Sequence, residues 1–397
     1  MDERWNRLAA LAAHGANVQP GQVVMVSAEL GQEELARPVA AACYERGAKF
    51  VDVVYFDPHL KRARIENADP STLEYVPEWY AERLLTLADG RGARVALAGP
   101  TAPGLLDGLD QSLAGKDRLP WIKESSRVVG ERTTNWTIVP CPNANWASLV
   151  YPELDDDAAL ARLWSDLEHV LRLDEPDATV AWDERMEVLN RSAARLTERK
   201  FDAIELRGPG TELDVGLLPS HVWWAADFTT AEGLRHFPNL PTEEVFTTPD
   251  PERTSGHVTS TKPLVLRDGT IVRGLRVTFE NGVAASVDAD ENAEALRSQL
   301  TVDDQALKLG ELALVDGGGR IGPLGTVFYD TLLDENAASH IAFGSGFPFL
   351  VEGDDVARVN SSALHIDFMI GSPELDVDGV TSAGERVAVL RGGNWQI

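Results

Sequence analysis

The chain has 397 residues, 44% of them hydrophobic, with 33 glycines and 22 prolines, a globular composition with more chain than one ordinary core organises. Its formal charge of −27 excludes nucleic acid and anionic membrane surfaces as partners, since either needs a basic patch that releases counterions. Cys43 and Cys141 are the only cysteines, which rules out a disulfide framework or a cysteine-based zinc site, so any metal must be held by histidine and carboxylates.

The start, Met1-Asp2-Glu3-Arg4-Trp5, has no basic segment followed by an apolar stretch, and no window approaches the roughly 18 apolar residues of a membrane span. A cytoplasmic protein is expected. The run Gln22 to Val26 reads as a buried strand, residues from about Glu33 to Arg46 as a helix, and Phe50 to Tyr55 as the next strand. Arg94 to Gly99 and Trp136 to Pro140 add two more buried strands. Such alternation predicts an α/β amino-terminal domain with a mainly parallel sheet, residues 1–200. No glycine-rich fingerprint follows the first strand, where Val26-Ser27-Ala28-Glu29-Leu30 stands, so a dinucleotide site is not expected.

Two amphipathic helices close this half. Asp157 to Leu173 places Leu160, Leu163, Trp164, Leu167, Val170 and Leu171 at three- and four-residue spacing, and Trp182 to Lys200 does the same with Met186, Leu189, Ala193 and Leu196. Beyond Lys200 the texture changes to short strands and tight turns. Asp268-Gly269 and Asn281-Gly282 are hairpin signals, and helices are expected near Ala293 to Leu300 and Thr331 to Ile341. The second half, residues 201–397, therefore reads as an α+β, β-rich domain.

Chemistry concentrates in that half. In Ala363-Leu364-His365-Ile366-Asp367-Phe368-Met369 a strand would point His365 and Asp367 to one face and Ile366 and Phe368 to the other, giving two metal ligands at a fixed separation. His340 ends the expected helix just before Gly344-Ser345-Gly346. Glu244 heads a short β-prone run, and Glu311 stands inside the apolar run Leu309 to Val315, where a carboxylate is costly unless paired or metal-bound. Of the eight histidines, His14, His59 and His169 read as solvated or packed, while His221, His236 and His257 are weaker candidates for a cleft. Ten tryptophans, with Trp223 and Trp224 adjacent, suggest an apolar wall whose position is not readable from the sequence.

The blocks Leu240-Pro241-Thr242-Glu243-Glu244-Val245-Phe246-Thr247, Leu309-Gly310-Glu311, Asp334-Glu335-Asn336-Ala337-Ala338-Ser339-His340 and His365 to Leu375 resemble, in order, those of the thermophilic-type metallo-aminopeptidase family that contains aminopeptidases S and T. The likeness covers essentially the whole chain, with the specific motifs in the second half. It implies a dinuclear centre held by Glu244, Glu311, His340, His365 and Asp367, with Glu311 as the catalytic bridging carboxylate. It also implies two divalent ions (zinc or cobalt, with magnesium and manganese as further options), a peptide substrate that loses its amino-terminal residue, and a homodimer.

One position departs from the family, which usually has a tyrosine seven residues after the histidine of the third block. Here that position is Phe347, which keeps a ring against the substrate but has no hydroxyl for the developing oxyanion. Loss of one such donor typically costs about 3 kcal/mol, or a hundredfold in rate. Tyr329 is an alternative donor. Two other readings stand beside the peptidase: a mononuclear iron(II) ring-cleaving dioxygenase of the dihydroxypyridine type, which would need His340, His365 and Asp367 but neither Glu244 nor Glu311, and a weakly active peptide-binding relative.

Overall fold

The computed structural model describes residues 3–117, 119–120, 122–225, 227–266 and 270–397. The chain divides into two compact units, residues 1–183 with 227–241, and residues 184–226 with 242–397. The division falls inside the helix Ala178–Arg199, ahead of Lys200.

In the first unit, β1 (Val23–Glu29), β2 (Phe50–Phe56), β3 (Ala93–Ala98) and β4 (Asn135–Pro140) form a wholly parallel sheet in the order β2-β1-β3-β4. Central strands β1 and β3 bury Val24, Val26, Val95 and Leu97 on one shared face, while Arg94 and Ala96 on the other face of β3 are half-buried. The helices follow the apolar spacing: Glu33–Glu45 buries Leu35, Val39 and Cys43, and Asp156–Val170 buries Leu163, Trp164 and Leu167 behind an Asp155 cap on the Ala158 amide. Residues 238–240 lie along the free edge of β4, where the Ile138 amide donates to Pro238 O and the Leu240 amide to Ile138 O. That cover shields an edge that would otherwise present unpaired backbone groups.

The second unit carries two large antiparallel sheets together with a two-stranded ribbon, Leu264–Val265 with Ile271–Val272. The larger has eight strands, in the spatial order Val283–Asp288, Arg276–Glu280, Pro249–Thr259, Thr211–Leu217, Ala203–Gly208, Asp376–Val380, Arg386–Arg391 and Asn394–Trp395. Asn281 and Gly282, both at positive φ, turn the hairpin between Arg276–Glu280 and Val283–Asp288, as their identity predicts. The Asp268-Gly269 signal lies outside the described residues.

The smaller sheet is a five-stranded meander of β5 (Trp224–Ala225), β6 (Glu244–Thr247), β7 (Leu309–Val315), β8 (His340–Gly344) and β9 (His365–Met369), each hydrogen-bonded to the next. Its apolar face presents Val245, Leu312, Leu314, Ile341, Phe343, Ile366 and Phe368. Phe343 stacks on Phe368 at 5.1 Å and meets Phe279 of the larger sheet at 5.9 Å, so the core of this unit lies between its two sheets.

The structure corrects one expected element. The helix expected over Thr331 to Ile341 is a single turn, Thr331–Asp334, followed by a 3₁₀ turn, Glu335–Ala337, and His340 opens β8 instead of closing a helix. The reason is packing: Ile341 and Phe343 are needed on the apolar face of a central strand, and a two-residue period there overrides helical spacing.

Candidate metal centre

Strand register brings the carboxylates and histidines together. Across the small sheet Glu311 stands opposite Ala342, and Ala342 opposite Asp367; His340 pairs with Ala313, and His365 with Gly344. Glu244 pairs with Val315, two positions from Ala313 on the same face. Alternation therefore sets all five groups on the face opposite Phe343 and Phe368, with Ala313, Ala342 and Gly344 between them as residues too small to fill the space.

A β-bulge at Gly310 makes this possible. Leu309 pairs with Phe343 on the apolar side while Glu311 pairs with Ala342 on the other, so the extra residue reverses the parity of β7 and turns the glutamate toward the histidines. Only glycine fits there: a Cβ at Gly310 would lie 2.3 Å from Ser345 O and 2.4 Å from Gly344 O. The hydroxyl of Thr248 donates to Gly310 O at 2.9 Å and fixes the bulge from the end of β6.

Two groups of donor atoms result, Glu244 with Glu311 and His340, and Glu311 with His365 and Asp367. His340 Nε2 lies 3.1 Å from Glu244 Oε2 and 4.0 Å from Glu311 Oε1. His365 Nε2 lies 3.0 Å from the other oxygen of Glu311, Oε2, and 3.1 Å from Asp367 Oδ1. Both imidazoles are oriented from behind: Nδ1 of His340 faces Ala338 O at 3.1 Å and Nδ1 of His365 faces Ser345 O at 2.8 Å. An Nδ1–H donated to a carbonyl leaves Nε2 as the lone-pair nitrogen, the tautomer a metal-ligating histidine needs.

The charges of these groups act strongly on one another. Burial, reinforced by the charges of Asp367 and Glu244, raises the Glu311 carboxyl to about 7 despite its hydrogen bond to His365. Burial disfavours a charged His340, yet the Glu244 hydrogen bond and the surrounding carboxylates lift it to about 10. Burial and the charges of Asp367 and Glu244 also push Glu335 well above the carboxylate range. Carboxylates and imidazoles crowded together in this way, each shifting the others, form a donor set that a divalent cation satisfies. Oxygen and imidazole donors packed at this density suit such ions and not the soft ions that thiolates select.

Glu335 lies outside the two donor groups, but the charges of Asp367, Glu244 and Glu311 reach its carboxyl; the sequence reads it only as one turn of a helix, and its signal is a carboxylate five residues before His340 inside the third block. Asn336 ties it to β6: its Oδ1 accepts the Glu243 amide at 2.7 Å and its Nδ2 donates to Leu332 O at 2.9 Å. Arg185 braces the other side, with Nε 2.5 Å from Glu243 Oε2 and Nη2 2.6 Å from Asp316 Oδ1, the residues just before Glu244 and just after Val315. Phe347 places its ring 5.5 Å from that of His365, and its amide donates to Thr248 Oγ1 at 3.4 Å.

The remaining candidates stay apart from these donors. His221 turns Nδ1 toward Leu218 O at 2.8 Å, His236 packs against Trp136 and Phe228 in the first unit, and His257 is exposed on Pro249–Thr259. The Tyr329 hydroxyl accepts from Arg273 Nη2 at 3.4 Å, and the Arg273 guanidinium lies over its ring.

The family described as thermophilic metalloprotease (M29) matches residues 1–395. Aminopeptidase T of Thermus aquaticus is 39% identical over 405 residues, spanning 100% of this chain and 99% of its own length. Aminopeptidase 2 of Geobacillus stearothermophilus is 34% identical over 408 residues, 99% of this chain and 98% of that protein. The solved structure of wild-type AmpT from Thermus thermophilus superposes with a TM-score of 0.92 at 38% identity, covering 100% of this chain and 99% of that one.

Proposed function

The chain belongs to the thermophilic metalloprotease family M29, and from that membership we propose that it is a metal-dependent aminopeptidase releasing the amino-terminal residue of short peptides, with residues 201–397 as its catalytic domain. The proposed ligands are Glu244, Glu311, His340, His365 and Asp367, and we add Glu335 as a neighbour because the charges of Asp367, Glu244 and Glu311 reach its carboxyl. The observation that carries the reading is Glu311, whose two oxygens face different histidines, Oε1 toward His340 and Oε2 toward His365, as a bridging carboxylate must.

When bound, a pair of divalent ions supplies a water of lowered pKa and polarises the scissile carbonyl. The side chains do the rest. Glu244 with His340, and Asp367 with His365, would define two subsites, and Glu311 would join them. Ala338 O and Ser345 O keep the imidazoles in one tautomer. Phe347 covers His365 and limits water on that side, without a hydroxyl for the oxyanion. Zinc or cobalt fits the mixed donor set best, with magnesium and manganese as weaker matches. The iron-oxygenase alternative uses His340, His365 and Asp367 alone and gives no part to Glu244 and Glu311, which share the cluster.

Hydrolysis of aminoacyl p-nitroanilides, compared with their N-acetylated forms, tests the reading. Release of nitroaniline from the free-amine substrates only, dependent on added zinc or cobalt, is expected. No hydrolysis with any of the four metals, together with iron-dependent oxygen uptake on a dihydroxypyridine, would establish the alternative. A homodimer and a cytoplasmic location are carried as part of the same proposal; light scattering tests the first. No helix among the described residues is long and apolar enough to cross a membrane.

A further inference from the structure

The face of the small sheet that holds the ligands continues sideways into aromatic side chains. Phe246 follows Glu244 by two residues in β6 and so shares its face, and Trp224 stands directly opposite Phe246 in β5. From the loop after β8, Phe347 packs its ring 5.2 Å from Phe246 and 5.5 Å from His365, and Phe349 lies 5.6 Å from Phe347 and 5.8 Å from Trp224. The four rings form a continuous row that starts at a proposed ligand and ends at solvent. Phe246 is 4% exposed, and Phe349, at the outer end, is 44% exposed.

Exposure alone does not set Phe349 apart, since Tyr75 and Trp79 are more exposed; what does is that its ring continues, through Phe347, a row that reaches His365. We infer that this row is the wall of the subsite for the side chain of the substrate's first residue, and that it selects peptides beginning with a bulky apolar or aromatic residue. The inference rests on the proposed peptidase reading. With the substrate's amino group and first carbonyl held at the ligand cluster, the side chain on the intervening carbon is the part near enough to lie along rings that begin 5.5 Å from His365. The row contains no charged group, so a first residue with a charged side chain would be desolvated there without a partner. Trp224 and Phe349 are then specificity-determining residues, and they give one member of the Trp223-Trp224 pair a role in binding.

The test compares kcat/KM for Phe, Leu, Ala and Asp p-nitroanilides, together with calorimetric binding of L-phenylalanine and L-alanine to the metal-loaded enzyme. Phe and Leu substrates are expected to exceed Ala by roughly 10–100-fold, with Asp lowest. Phe349→Ala, at a half-exposed position that spares the core, and Trp224→Leu should each narrow the Phe-to-Ala ratio by about tenfold and weaken phenylalanine binding in parallel. Hydrolysis with equal ratios in wild type and both variants would overturn the wall and leave the peptidase standing. If no aminoacyl substrate is cleaved, the peptidase reading fails and the subsite, which rests on it, fails with it.

Discussion

Gly310→Ala places one methyl group at the bulge that turns Glu311 toward the histidines. The new Cβ would meet Ser345 O at 2.3 Å and Gly344 O at 2.4 Å, where ordinary contact begins at 3.4 Å, so about 1 Å of movement is required. Both obstacles are backbone atoms, and Gly344 O already accepts the Asn360 amide at 2.6 Å, so neither swings aside as a side chain would. Overpacking of this kind costs about 1–3 kcal/mol, and displacement of a catalytic group by about 1 Å lowers activity on the order of a hundredfold. The assay pairs kcat/KM on leucine p-nitroanilide at saturating metal with thermal unfolding. Gly130→Ala is the control, since a Cβ there meets nothing within 4 Å. A hundredfold loss of activity with a fall in Tm of several degrees is expected for Gly310→Ala alone. Activity within twofold of wild type would show that the bulge does not set the position of Glu311.

Three other perturbations have defined outcomes. Glu335→Gln removes one carboxylate beside the cluster and should weaken metal binding on the order of 10–100-fold in a chelator competition, and unchanged affinity would show that Glu335 has no part in the centre. Phe347→Tyr returns a hydroxyl beside His365 and should raise kcat by up to about a hundredfold, or about 3 kcal/mol; no change would mean that oxyanion stabilisation does not depend on this position. His236 is buried between Trp136 and Phe228, and burial lowers its pKa from 6.5 to about 4 against the weaker pull of Leu234 O and Asp227. Because its folded pKa lies below the unfolded value, the stability it contributes is full above pH 6.5 and lost as pH falls toward 4, by about 3 kcal/mol. Urea unfolding at pH 7.5 and 4.5 should show this loss in wild type and a smaller one in His236→Phe; equal losses would contradict a buried neutral His236.

Much of the first unit was legible because its strands are short apolar runs bounded by turn signals, and Val23–Glu29, Phe50–Phe56, Ala93–Ala98 and Asn135–Pro140 all begin within a residue or two of expectation. His365 and Asp367 were legible for the same kind of reason, since a strand two residues apart shares a face whatever surrounds it. Glu335 and the short turn before His340 were not, because Asp334 to His340 carries helical spacing while its conformation is decided by Asn336 binding β6 and by β8 joining the sheet. The cover of β4 by residues 238–240 was equally hidden: it depends on a pairing with Ile138 a hundred residues away, which no local pattern encodes. The aromatic row lies between these cases. Its residues stand out by type, and their assembly is a product of the register between β5 and β6.

The central claim, that one carboxylate joins two donor groups into a single centre, is tested most directly by titrating the chelator-stripped protein with cobalt while following both bound metal and hydrolysis. Two equivalents per chain at saturation are predicted for wild type, with activity lost in Glu311→Gln because both groups share that side chain. Saturation of activity at one equivalent, or full activity in Glu311→Gln, would contradict it.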